Sequence, residues 1–326
     1  MADGRRVVLD AGEERLVVLA PLEDKVEARF GPSGQGPGEI WSANSVLWPD
    51  REEGVWVLDP GNRRLSRFSL TGSLEEERSI EIVGMGGIAA QRPGTHEPFF
   101  WKIFLGGASG HELTDTIGRF DQEAGKVVSV APMAPRVEER RRNIDTPRLF
   151  APMGWFAPVG EGVVVGRSDS GRFRHYSDEG ELLGIIEIPM TQAPIAKSDE
   201  PEILREFYGA VRSSSAGERG VAEAYPLYNI MWALSDSLFA LQQGYRGVPD
   251  GEPRIPQGQV VWRVLSVRGA YAGSIVFPIG VAQPYWIEGD RIVATHGDSL
   301  VVATIMSYRL TARNEWDRER SGRDGE

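Results

Sequence analysis

Short apolar runs of four to six residues, each closed by turn formers, recur along the whole chain. Between Arg29 and Gly72 they fall at Ser45 to Trp48, Gly54 to Asp59 and Leu65 to Ser69, after a Gly/Pro-rich loop from Gly31 to Glu39. Runs of this length bounded by Gly, Pro, Asn and Asp predict the strands of an antiparallel meander. Val55 to Leu58 is continuously apolar, the pattern of a strand covered on both faces. Pro60-Gly61-Asn62 then turns the chain, because Pro presets one turn torsion and Gly and Asn accept positive φ.

The same unit repeats. Blocks comparable to Val55–Leu58 stand at Arg6 to Leu9, Trp101 to Leu105, Gly162 to Val165, Leu238 to Leu241 and Arg291 to Ala294, and they predict the second strand of each unit. Their starts are about fifty residues apart except where a segment intervenes between the fourth and fifth, a spacing that fits propeller blades of roughly 40 to 50 residues. The next strand has its own signature: RFSLTG at Arg67–Gly72, RFDQEAG at Arg119–Gly125, RHYSDEG at Arg174–Gly180, and more loosely VLSVRG at Val264–Gly269. In the first unit VVLAPLED, Val17 to Asp24, takes that place, and Val301 to Leu310 reads as the last strand. A leading strand precedes four of the blocks, at Ser45–Trp48, Gly154–Phe156, Asn229–Trp232 and Pro284–Ile287.

These units predict an all-β fold: a six-bladed β-propeller of four-stranded antiparallel blades, because radial repetition lets each sheet bury both faces without a second domain. One propeller is expected over residues 1–310, followed by a polar tail over 311–326. The intervening segment, Ser198 to Ala224, predicts one short helix around 199–211: Ser198 and Asp199 suit its cap, Pro201 its first turn, and Ile203, Leu204, Phe207, Tyr208 and Val211 share one face. The first unit lacks a strand ahead of Arg6, so the first blade is expected to be incomplete at its amino end, its missing strand supplied by a segment upstream of Met1.

Composition narrows the function. At 326 residues with 39 glycines and 21 prolines dispersed throughout, the chain suits many short strands. A formal charge of −11 argues against nucleic acid as the partner. Cysteine is absent, which excludes disulfides, thiolate metal sites and cysteine nucleophiles. No apolar run reaches the roughly 18 to 20 residues of a membrane span, and a monomer is expected. His96, His111, His175 and His296 show no zinc-site spacing, and G-x-S-x-G, Walker and dinucleotide signatures are missing. Arg140 to Arg142 follow Glu138 and Glu139 directly and read as a solvated connection. Glu39 is expected to cap backbone N–H groups nearby. No catalytic residue is assigned, and no cofactor is predicted.

Each leading strand carries a tryptophan: Trp48, Trp155, Trp232 and Trp286. They are either wedges between neighbouring sheets, the more frequent use of large aromatics, or the ligand-binding lining of a central channel.

GQGPGEI at Gly34–Ile40 followed by GVWVLDPGNRRLSRFSLTG at Gly54–Gly72 resembles NHL-type bacterial six-bladed propeller proteins, matching their repeat at Asp59, Gly61, Asn62, Arg63 and Phe68. Ile40 stands where the family has an aromatic. The resemblance implies four strands per blade, a central channel and an extracytoplasmic, periplasmic or secreted location. It leaves function open, since fold does not carry it. The leading expectation is a non-enzymatic binding or scaffold module for a protein, peptide or glycan. The alternative is a hydrolase or lyase dependent on a divalent, calcium-like metal in the channel, as in enzymes similar in fold. RNA binding, known for some members, stands far behind because of the charge.

Overall fold

The computed structural model describes residues 5–10, 13, 15–21, 25–41, 45–50, 54–80, 82–85, 89–95, 97–107, 110–121, 124, 126–133, 149–208, 221–243, 260–277, 281–288, 291–297 and 303–311. Within these the chain is almost entirely β, laid down as antiparallel sheets in chain order. The first sheet holds β1 (Arg6–Asp10), β2 (Arg15–Leu19) and β3 (Val26–Phe30); the second β4 (Val46–Pro49), β5 (Gly54–Asp59), β6 (Arg64–Ser69) and β7 (Leu74–Ser79). The third has β8 (Ile82–Met85) and β9 (Ala89–Gln91) side by side along β10 (Pro98–Gly107), then β11 (Gly110–Asp121) and β12 (Lys126–Pro132). The fourth comprises β13 (Gly154–Val159), β14 (Gly162–Arg167), β15 (Arg172–Ser177) and β16 (Leu182–Glu187). The fifth comprises β17 (Tyr228–Ala233), β18 (Leu238–Gln243), β19 (Val260–Ser266) and β20 (Tyr271–Phe277), and the last β21 (Val281–Glu288), β22 (Arg291–Gly297) and β23 (Ala303–Arg309).

Each sheet packs on the next. Leu16, Val18 and Phe30 meet Val55, Val57 and Phe68; Trp56, Leu58 and Leu65 meet Phe100 and Phe120; Phe99 and Ile117 meet Phe156 and Val165. Val164 and Phe173 meet Phe239 and Leu265, and Trp262 and Phe277 meet Ile292 and Tyr308. The leading strands converge, with β13 against both β9 and β17 and β9 against β17, and the Gln91 amide reaches from β9 to the carbonyl of Leu47 in β4 at 2.5 Å. First strands innermost and sheets packed face to face in sequence make a β-propeller arrangement.

Six complete four-stranded blades are not what this structure shows. Among the described residues three sheets have four strands, the third has five, and the first and last have three. After β3 the chain enters the Gly31–Ile40 loop, where Pro32 and Pro37 remove donors and Gly31 and Gly38 sit at φ 63° and 74°, so no fourth strand turns back. The frame of the first unit also differs from expectation. Arg6–Leu9 belongs to β1, a first strand of intermediate burial; the fully covered second strand is β2, whose Leu16 and Val18 face Val55 and Val57. The other five blocks are second strands as expected, and β5 is buried at every position.

The loop after β3 is clasped onto the second sheet. The buried Asp59 carboxylate accepts from the backbone N–H groups of Trp41 (2.8 Å), Gly61 (3.0 Å) and Asn62 (3.3 Å) and from Asn62 Nδ2 (2.8 Å). Asn62 Nδ2 also donates to the Gly34 carbonyl at 2.9 Å. Arg64 donates to the carbonyls of Gln35 and Glu39 and pairs with Glu77 at 3.3 Å. Glu39 Oε2 accepts from Gly36 N at 2.6 Å, the capping role expected of it.

One turn is used three times between third and fourth strands: Ser69-Leu-Thr-Gly72, Ser177-Asp-Glu-Gly180 and Ser266-Val-Arg-Gly269. In each the serine N–H donates to the carbonyl of the residue after the glycine and the glycine N–H returns to the serine carbonyl, all at 2.8–3.1 Å. The serine hydroxyl accepts from further turn amides. Each glycine has φ of 82–93° and abuts the preceding sheet: an added Cβ would lie 2.8 Å from Phe30 Cβ, 2.9 Å from the Val130 carbonyl oxygen and 3.2 Å from Ile186.

The helix α1 (Glu200–Tyr208) lies inside the expected 199–211, with Ile203 buried; Val211 falls outside the described residues. Its excursion is tied off by Ile195 N to Glu223 O (2.8 Å) and Tyr225 N to Ala193 O (2.9 Å). Among the described residues no helix is long and apolar enough to cross a membrane. The proposed tail, the Arg140–Arg142 cluster, and the side chains of His96, His111 and His296 lie outside the described residues.

Candidate functional site

The four leading-strand tryptophans do not share one wall. Trp48 is buried between the second and third sheets, its ring centroid 5.9 Å from that of Phe120. Trp155 is half-buried against the core joining the fourth and fifth sheets, and Trp232 against that joining the fifth and sixth. Trp286 lies in β21, its side chain outside the described residues. Each of the first three thus leans toward the following sheet.

A polar hairpin docks where β13, the strand of Trp155, begins. Trp155 pairs with Gly166 across the β13–β14 ladder, and Gly154 with Arg167. The hairpin that follows, Arg167 to Gly171, is bound over the beginnings of two inner strands: Ser168 N donates to the Met153 carbonyl (2.9 Å), Met153 N to Ser168 Oγ (3.0 Å), and Leu227 N, just before β17, to the Ser168 carbonyl (2.7 Å). These bonds hold Arg167 and Asp169 at the axial end where β13 and β17 start. Their side chains form an ion pair, Nε to Oδ1 at 2.6 Å, with the guanidinium 39% and the carboxylate 19% exposed.

Beneath this pair lies Tyr228, the first residue of β17 and fully buried. Its hydroxyl has no hydrogen-bond partner among the described residues. Gly166 leaves room for it, since a Cβ there would stand 2.6 Å from the phenol oxygen, and the Phe173 ring packs beside it at 5.7 Å. Burial first, and then the Asp169 charge, push this phenol well above its ordinary pKa, with Arg167 acting the other way. Tyr228 is therefore a neutral phenol at physiological pH. The axial end thus carries a partly exposed donor and acceptor, Arg167 and Asp169, over the buried Tyr228, a combination that recognises amides and hydroxyls.

His175, in β15, is half-buried, and desolvation lowers its pKa, so the ring is neutral at pH 7. Among the described residues no three His, Asp or Glu side chains are grouped to hold a metal ion. At the opposite axial end Arg92 bridges the third and fourth sheets, pairing with Asp178 at 2.5 Å and Glu97 at 3.2 Å and lying over the Phe99 ring at 4.9 Å. Arg119 joins Glu97 at 2.7 Å, and that hydrogen bond raises its pKa.

Sequence reading named Trp155 and passed over Arg167, Asp169 and Tyr228. GRSDSGRF, Gly166 to Phe173, reads as an ordinary polar hairpin, and only its docking on residues 153 and 227 gives it a place near the axis.

No family model matches the chain, and no curated protein matches it. Solved structures do. A member of the DUF4221 family from Bacteroides vulgatus is 12% identical, with 94% of this chain and 90% of that one covered and a TM-score of 0.48. Virginiamycin B lyase from Staphylococcus aureus is 10% identical, covering 96% and 86% with a TM-score of 0.37. BBS1N, solved in complex with ARL6DN, is 9% identical, covering 96% and 90% with a TM-score of 0.41.

Proposed function

We propose that this protein is a non-enzymatic binding propeller that takes a peptide or glycan at the axial end where β13 and β17 begin. The observation that carries the reading is the partly exposed Arg167–Asp169 pair, fixed by Ser168 on the starts of two inner strands, the first of which carries half-buried Trp155. Arg167 supplies donors to carbonyl or carboxylate oxygens, Asp169 accepts from amides or hydroxyls, and the accessible part of the indole takes an apolar ring or side chain. Of the four leading-strand tryptophans, Trp155 is the ligand contact, while Trp48 and Trp232 pack toward neighbouring sheets.

The same reading includes a propeller of NHL type and a location outside the cytoplasm; the Gly34–Gly72 resemblance supports both. Cell fractionation tests the location. The net charge of −11 supports a partner other than nucleic acid.

The binding test is a peptide and glycan array followed by calorimetry on the hits. Arg167→Ala and Asp169→Ala are each expected to weaken binding by about tenfold or more. Hits that bind both variants as tightly as the wild type refute the site. Turnover of lactone or ester substrates that requires added calcium and stops with chelator refutes the non-enzymatic reading.

A further inference from the structure

The outer edges of the four-stranded sheets are not alike. Among the described residues β7, β16 and β20 each pair on one side only, and each is bulged one residue in, at Glu75, Leu183 and Ala272, where the register to the third strand shifts. Beyond the bulge they diverge. β7 is guarded by Glu76, Glu77 and Arg78, the usual defence of an open edge. β20 carries Gly273 at φ 147° and Ser274 at the corresponding place. β16 reads LLGIIE, without a charge from Leu182 to Ile186, and leaves Leu182, Leu183 and Ile185 exposed at 53%, 56% and 45%. Gly184, at its centre, has no neighbouring atom within 4 Å of where a Cβ would be. A paired apolar edge with free backbone groups on its outer side is the template for strand addition.

The charges around the edge select the occupant. Glu179 and Glu181 are exposed before it and Glu187 at its end. A second copy pairing antiparallel about Gly184 would set Glu181 opposite Glu187, and two chains of charge −11 would repel. A strand with alternating apolar residues between basic ends meets apolar side chains in the middle and carboxylates at both ends.

We propose that β16 is a strand-addition site for an extended segment of another protein, apolar at alternate positions and flanked by Lys or Arg. The site runs along the outer edge of the fourth sheet and includes neither Arg167 nor Asp169, so Arg167→Ala leaves it intact and the two readings fail independently.

The probe is a fluorescein-labelled peptide, Lys-Lys-Val-Thr-Val-Thr-Val-Lys-Lys, titrated with the full chain by fluorescence anisotropy. Binding is expected, weakening as salt rises, and weaker by about tenfold for Leu183→Lys/Ile185→Lys with an unchanged thermal midpoint. A peptide with proline at the central valine, which cannot complete the ladder, is expected not to bind, and one with glutamate ends to bind about tenfold more weakly. No binding by the first peptide overturns the proposal, as does equal binding by the proline peptide or the double variant. Sedimentation showing a wild-type dimer that the double variant abolishes overturns it in favour of a second copy.

Discussion

Replacing Gly72 by alanine tests whether the repeated Ser-x-x-Gly turn is a contact between sheets or only a turn. Gly72 sits at φ 93°, a conformation that costs an L-residue about 1–2 kcal/mol. Its Cβ would also meet Phe30 Cβ at 2.8 Å and Cγ at 3.1 Å, in the ring that packs on Phe68 with centroids 5.3 Å apart. Such overpacking adds about 1–3 kcal/mol. Gly94 provides the control: its φ is 81°, with nothing within 4 Å of an added Cβ, so its alanine variant carries the backbone cost alone. The difference between Gly72→Ala and Gly94→Ala isolates the contact between sheets. Urea unfolding followed by tryptophan fluorescence measures it. At a slope of about 3 kcal/mol per molar, the Gly72 midpoint should lie about 0.3–1 M below that of Gly94→Ala, with unchanged slope. Equal midpoints refute the reasoning, because the turn would then tolerate a methyl group against Phe30.

Two further outcomes follow from buried polar groups. Asp59→Ala strips the partner from the N–H groups of Trp41, Gly61 and Asn62 and should cost about 3 kcal/mol or more in urea unfolding, whereas a surface substitution such as Glu76→Ala stays within about 0.5 kcal/mol. Tyr228→Phe removes a buried hydroxyl that has no partner among the described residues and should leave stability unchanged or raise it by about 1 kcal/mol. The folded-state pKa of Tyr228 is raised, so its contribution is complete below about pH 10, where the unfolded phenol ionises, and is lost as pH rises through the folded value. Urea midpoints measured from about pH 9 to 11 should therefore fall less steeply for Tyr228→Phe than for the wild type.

The parts of the fold legible in the sequence are those with a local cause. β5, β14 and β18 stand out as apolar runs because sheets cover them on both sides, and the serine–glycine turns stand out because their glycines require positive φ. The first unit misleads because RVVLD of β1 and RLVVL of β2 are nearly the same string. What separates them is the neighbouring sheet: Leu16 and Val18 are covered by Val55 and Val57, and Arg6–Asp10 stays half-buried. Contacts between distant segments leave no trace in spacing. Arg92 and Asp178 are 86 residues apart, and Asp169 reaches the starts of β13 and β17 only through bonds from Ser168 to Met153 and Leu227.

The division of labour within a blade explains how sheets of three strands coexist with sheets of four. The junction between the first and second sheets is built mainly on second and third strands, from Leu16, Val18, Phe30, Val55, Val57 and Phe68, with Ile40 of the loop beside them and Val7, Leu9 and Leu47 of first strands packed against them. Fourth strands add fewer side chains to such cores, Ile186 from β16, Ile275 and Phe277 from β20, and Val130 and Ala131 from β12, and the rest of β16 and β20 is mostly exposed. The glycine turn makes its contact with the preceding sheet before the fourth strand begins. A sheet without a fourth strand therefore keeps its junctions, and one that has it carries a strand whose composition packing hardly constrains. That freedom is visible in LEEERS against LLGIIE at the same position of the second and fourth sheets. Charge on the first keeps an open edge solitary, and its absence on the second is a difference that the architecture does not require, which is why the partner of this propeller is sought on β16 as well as at its axis.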